Sequence, residues 1–187
     1  METTTEVLLA AEEKMGKAVE FLQQDLAGLR TGKASPSLVE NITVDYYGSA
    51  SRLRDISNIA TPEPRLITIS PFDPSSLGAI EKAIIAANIG ITPLNDGRLI
   101  RVPIPELSEE RRKDLTKVAS RTTEEQRVAV RNIRREANDQ LKALEKSGKI
   151  TEDDLAGSLD ETQKLTDAHI SRMDALFTAK EKELMEV

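Results

Sequence analysis

Between Ser108 and Lys146 the chain carries neither proline nor glycine, and this stretch constrains every other part of the fold. About forty residues without a breaker predict one helix of roughly 60 Å, at about 1.5 Å rise per residue. Ser147-Gly148 ends it, because glycine adopts the left-handed conformation of a helix C-terminus without steric penalty. All eight prolines fall elsewhere, from Pro36 to Pro105. Helical and non-helical stretches are therefore segregated along the sequence.

The long helix has two distinct stripes. At ~100° per residue, Val130, Ile133, Ala137, Leu141 and Leu144 form an apolar face. Arg127, Arg131, Arg134 and Arg135 fall on a narrow stripe roughly a quarter-turn away. Two readings fit these arginines. They are a solvated face, as charged helix surfaces usually are, or they present planar donor forks to phosphates and bases.

Two further helices follow the same logic. Thr3-Thr4-Thr5-Glu6 offers a capping box, and Leu8, Ala11, Met15, Val19, Leu22, Leu26 and Leu29 then step by threes and fours. Thr31-Gly32 is expected to end that helix, and Pro36 forbids its continuation. At the other end, Thr151 caps a helix that begins with the acids Glu152, Asp153 and Asp154, favourable at the positive end of the dipole. Leu155, Leu159, Ile170, Met173, Leu176, Phe177 and Leu184 supply its expected apolar face. Three long amphipathic helices joined by short turns bury their stripes on one another as a three-helix bundle.

Residues 38–104 change period. Ile42 to Tyr46 alternates as a strand before a turn at Tyr47-Gly48-Ser49. Arg65 to Ser70 reads as a more buried strand. Ser75 or Ser76 is expected to cap a short helix through Leu77, Ile80, Ala83, Ile84 and Ala87. Gly90-Ile91-Thr92 and Leu99 to Val102 flank Asn95-Asp96-Gly97, a hairpin signal. The fold class is therefore α+β with two domains. Residues 1–30 and 106–187 form the bundle, and residues 31–105 form an inserted β/α/β domain. The chain crosses between them twice, at Arg30, Thr31, Gly32, Lys33, Ala34, Ser35 and Pro36 and again at Pro103, Ile104 and Pro105. A two-strand link with glycine and proline is an expected hinge.

Composition narrows the function. The chain has no cysteine, so disulfides and cysteine-ligated metals are excluded. Aromatics are 3% with no tryptophan, so the core must come from aliphatic side chains. No apolar run approaches the ~20 residues of a membrane span, and the N-terminal residues do not read as a targeting peptide. A cytoplasmic monomer is expected. Net charge is −6, which argues against a nucleic-acid coat, but the charge is uneven. Residues 107–146 carry a local excess of three positive charges, and residues 147–187 an excess of five negative ones. A polyanion is drawn to one element and repelled by its neighbour, which implies a defined docking face.

No phosphate-binding glycine loop, nucleophile elbow or dinucleotide fingerprint is present. His169, the sole histidine, lies near an apolar stripe and reads as a packed seam residue. Asp153-Asp154 reads as dipole compensation and not as a metal site. No catalytic residue, cofactor or metal is expected, and the chain is not expected to be an enzyme. A helical adaptor that binds a protein, its arginines merely solubilising, is the rival reading.

Several segments in order carry a resemblance: Leu29 to Leu38, Val44 to Gly48, Ala79 to Ile84, Asn95 to Gly97, Ile100 to Pro105, Glu109 to Leu115 and Val130 to Asp139. Along essentially its whole length the chain resembles bacterial-type ribosome recycling factors. Lys33 and Glu136 are conservative variants of the pattern, and Ile91-Thr-Pro-Leu94 departs from it. The resemblance implies an L-shaped molecule that binds the post-termination ribosome between its subunits and splits it with elongation factor G and GTP hydrolysis. It also implies docking of the bundle on large-subunit ribosomal RNA, centred on Arg134. Arg131, Arg135 and Arg127 accompany it, and Lys117 and Lys113 are expected to extend the contact toward the hinge.

Overall fold

Thr3 opens the first helix as its spacing predicts, its Oγ1 accepting from the Glu6 N–H at 3.2 Å. The structure is a computed structural model that describes residues 3–186. It divides into two compact units, one made of the chain up to residue 26 and from residue 114 onward, the other of residues 27–113. Residues 27–30 and 106–113 thus cluster with the β-containing unit.

The first unit is a bundle of three helices. Helix α1 spans Thr4–Ala27, α4 spans Glu109–Lys146 and α5 spans Glu152–Met185. Ser108 caps α4 by accepting from the Arg111 N–H at 3.2 Å. Gly148, with φ +70°, turns the chain out of α4. The capping box at Thr151 is complete: its Oγ1 accepts from the Asp154 N–H at 3.1 Å, and Asp154 accepts from the Thr151 N–H at 3.0 Å. The Thr151 hydroxyl, donating to the Asp154 carboxylate at 2.7 Å, and then the Thr151 N–H hold that carboxyl below its usual range. Val7 and Ala11 of α1 pack on Ala137, Leu141 and Leu144 of α4, with Leu155 and Leu159 of α5 beside them. The Lys14–Glu136 ion pair, at 3.0 Å, ties α1 to α4 in the antiparallel sense.

Two details of the helices differ from expectation. Helix α1 ends at Ala27, four residues before Thr31, and its buried stripe is Val7, Ala11, Met15, Val19, Leu22 and Leu26. Leu8 and Leu29 are only half-buried. Steps of four and three residues keep the stripe on one side of the helix. Met15 and Leu22 are fully buried, each contributing about 1.5–3 kcal/mol through lost apolar surface.

The buried face of α5 departs further. Of the expected apolar set, Met173 and Leu184 are buried, but Leu155, Leu159, Ile170, Leu176 and Phe177 are half-buried flanks. The inward line is instead Ser158, Thr162, Thr166, His169, Met173, Lys180 and Leu184. Small hydroxyl side chains can face a helix seam because each donates to a carbonyl of its own helix. Ser158 bonds the Asp154 carbonyl at 2.8 Å and Thr166 the Thr162 carbonyl at 2.8 Å. Nδ1 of His169 donates to the Leu165 carbonyl at 2.7 Å, since a carbonyl can only accept. His169 is thus a satisfied seam residue.

The second unit is built on two antiparallel sheets. Strands β1 (Thr43–Tyr46) and β2 (Ser49–Arg52) form a hairpin. Tyr47 and Gly48 turn it with φ of +50° and +81°, the paired left-handed geometry that matches strand twist. A short helix, α2 (Leu53–Ile56), leads into β3 (Ser57–Glu63). Strands β4 (Leu66–Pro71), β5 (Leu94–Asn95) and β6 (Ile100–Pro103) complete a sheet of order β3-β4-β6-β5. Helix α3 (Leu77–Ala86) presents Leu77, Ile80 and Ile84 to a core with Ile67, Ile69, Ile100 and Val102.

Strand β3 was not apparent in the sequence, because Pro62 sits within it. Pro62 falls where the β3–β4 register shifts, between Ala60 and Glu63, and an edge strand tolerates a proline at such a break. Residues 90–92, expected as a strand, lie outside the ladder, and β5 begins at Leu94. The loop that follows is closed by Asp96, whose carboxylate accepts from the Arg98 and Leu99 N–H groups at 3.0 and 2.9 Å. Asp73, not Ser75 or Ser76, caps the turn before α3 by accepting from the Ser75 N–H at 2.9 Å.

Candidate nucleic-acid interface

The arginines singled out on α4 occupy four different environments. Arg127 is the most enclosed, its side chain 22% exposed. It donates to Asp174 of α5 and to Glu124 one turn earlier. Burial opposes its charge, but the bonds it donates to Asp174 and Glu124 outweigh that and raise its pKa. Arg131 donates to the other oxygen of Glu124 at 3.0 Å. Hydrogen bonds from Arg127 and Arg131 hold the Glu124 carboxyl below its usual range.

Arg134 is half-buried and takes a neutral partner. Its Nη1 donates to Oε1 of Gln163 on α5 at 2.8 Å, and Nε2 of Gln163 donates to Asp167 at 2.8 Å. Arg135 is exposed and makes a longer bond, 3.3 Å, to Asn132. Nearer the start of α4, Lys113 is paired with Glu109 at 2.7 Å and Lys117 lies 4.0 Å from Asp114. Lys113 belongs to the β-containing unit and Lys117 to the bundle. Glu124, Gln163, Asp167 and Asp174 were not singled out in the sequence. Three of these lie on α5, and no spacing within α4 could indicate them.

The residues expected as a hinge are bonded into the β-containing unit. Arg30 reaches the carbonyls of Gly90 and Pro105, each at 3.1 Å. Thr31 is buried, and Gly32 takes φ +78° with Leu107 3.8 Å from where a Cβ would sit. Lys33 is exposed. Ala34 N–H donates to the Pro64 carbonyl at 2.7 Å, and Ile104 N–H to the Arg65 carbonyl at 2.8 Å. Ser35 bonds Ser37 at 2.7 Å, Pro36 starts a single 3-10 turn, and Pro103 pairs with Leu66.

Among the described residues no group of three or more His, Cys, Asp or Glu is arranged to hold a metal. Nor is any described helix long and apolar enough to cross a membrane. A groove of the bundle with a volume near 380 Å³ is lined by Leu8, Leu9 and Leu165, with Thr5, Glu12, Glu161 and Lys164 at its sides.

Comparison with known proteins decides the family. The family model of ribosome recycling factor matches residues 22–185. The chain belongs to the ribosome recycling factor family. The ribosome-recycling factor of Bacillus subtilis (strain 168) is 52% identical over 182 residues, covering 97% of this chain and 98% of that protein. A solution structure of a ribosome recycling factor matches with a TM-score of 0.83 at 42% identity, covering 100% of both chains. A second match, at 0.70 and 42%, covers 98% of this chain and all of its counterpart; it comes from models for the T. thermophilus ribosome recycling factor and the E. coli elongation factor G bound to the E. coli post-termination complex. The long-helix bundle and the small β/α/β unit are those of the ribosome recycling factor fold.

Proposed function

We propose that this protein binds the post-termination ribosome between its subunits, in the cytoplasm and as a monomer, and splits it together with elongation factor G and GTP. The observation that carries this is the full-length likeness to a ribosome recycling factor placed with elongation factor G on a post-termination complex. The protein contributes binding and leverage and no covalent step, and GTP is hydrolysed on its partner. The bundle docks on large-subunit ribosomal RNA through α4, with Arg134 as its centre. Arg131 and Arg135 flank it, and Arg127, Lys117 and Lys113 add charge to the approach. Recognition is of RNA shape and phosphate position, since sequence readout of an RNA duplex through its deep groove is not accessible to side chains. The segments Arg30–Pro36 and Pro103–Pro105 serve as the hinge about which the β-containing unit responds to elongation factor G.

The test is subunit dissociation followed by light scattering, with post-termination ribosomes, elongation factor G and GTP. Splitting by the wild type and failure by Arg134→Glu, with helicity retained, is the expected result. No splitting by the wild type with active partner factors would overturn the function. Splitting by both proteins would remove Arg134 from the centre of the contact.

A further inference from the structure

We propose that Gln163 is a positioning residue for Arg134, aiming its guanidinium across the α4–α5 seam without neutralising it; this rests on the reading of Arg134 as an RNA contact. The amide has only one orientation that serves both neighbours. A guanidinium can only donate and an ionised carboxylate can only accept. The Gln163 NH2 must therefore face Asp167, at 2.8 Å, and its carbonyl oxygen must face Arg134, at 2.8 Å. Asp167 lies one turn further along the same helix, where residues four apart are neighbours. It fixes the amide and stays one side chain removed from the arginine.

The contrast with the neighbouring arginines gives this arrangement its meaning. Arg127 and Arg131 are both held by carboxylates, Asp174 and Glu124. An incoming phosphate would have to compete with those ion pairs. Arg135 retains its charge, but its 3.3 Å bond to Asn132 on its own helix holds it loosely. Within the stripe, Arg134 alone among the described residues combines half-burial, a tether to another helix and an uncharged partner. One of its five N–H donors is occupied, leaving the rest of the fork for a phosphate. Orientation restricted before binding reduces the ordering loss on binding.

The experiment measures binding of the full-length protein to purified bacterial large ribosomal subunits across a salt series. It compares wild type, Arg134→Ala, Gln163→Met, Gln163→Glu and the double variant Arg134→Ala/Gln163→Met. Gln163→Met keeps the arginine's charge and removes its tether; the affinity should fall by roughly tenfold while the salt slope stays that of the wild type. Gln163→Glu pairs the arginine, so affinity should fall and the log–log salt slope should become shallower by about one contact. In the Arg134→Ala background, Gln163→Met should have no further effect. Wild-type affinity for Gln163→Met, or an equal loss in the double-variant background, overturns the positioning role. An unchanged slope in Gln163→Glu overturns it as well. If Arg134→Ala itself binds like the wild type, the RNA-contact reading falls first and this proposal falls with it.

Discussion

Arg127 of α4 donates to one carboxylate oxygen of Asp174 on α5 through both Nε, at 2.8 Å, and Nη2. The residues are 47 positions apart in sequence, so this clip fixes the register of the antiparallel α4–α5 pair. Arg127→Ala should lower bundle stability by roughly 1 kcal/mol, a figure already reduced because Asp174 is half-exposed and solvent screens the pair. The same change should leave ribosome affinity much closer to the wild type than Arg134→Ala does. Chemical denaturation and subunit-binding titrations on the two variants check both halves.

The polar seam offers a second test. Thr162 is fully buried, and its hydroxyl meets Asn138 of α4 at 2.8 Å. Thr162→Val keeps the shape but leaves the Asn138 oxygen without that donor, so it should cost about 1 kcal/mol. Combined with Asn138→Ala, the loss should be smaller than the sum of the two single losses. Equal and additive losses would mean that the contact across the seam does not contribute.

Gly32 tests the hinge. Its φ of +78° is a left-handed conformation that proline, locked near −65°, cannot adopt. Gly32→Ala should cost about 1–2 kcal/mol from backbone strain, since its Cβ would meet Leu107 only at ordinary contact distance. Gly32→Pro should impair ribosome splitting more than initial binding. Equal loss of both activities would point to damage within the β-containing unit and not to a hinge.

Acid should act partly through Glu124. Hydrogen bonds from Arg127, then Arg131, depress its folded pKa below the unfolded value of ~4.3. Below that value the unfolded chain binds more protons, so stability rises with pH there. The contribution is present above the unfolded pKa and is lost as pH falls through the folded one. Thermal midpoints of wild type and Glu124→Gln should therefore differ at pH 7 and converge toward pH 3. A gap that persists at pH 3 would rule out this linkage.

By itself the sequence determined the three long helices, both ends of α4, the N-terminal caps of α1 and α5, and the fold class. These depend on local chemistry: the breaker-free run from Ser108 to Lys146, the capping box at Thr151, and Gly148 and Gly48 where φ is positive. It also determined that four arginines share one side of α4. Only the tertiary structure decided what each of them does, because their partners Asp174 and Gln163 come from another helix. Strand β3 likewise depends on pairing with β4 at a sheet edge, which overrides the local signal of Pro62. The inward line of α5 was hidden for a related reason. Periodicity reports apolarity, whereas a helix seam also accepts Ser158 and Thr166, whose hydroxyls are satisfied by carbonyls of their own helix, and Thr162, whose hydroxyl reaches Asn138 of α4.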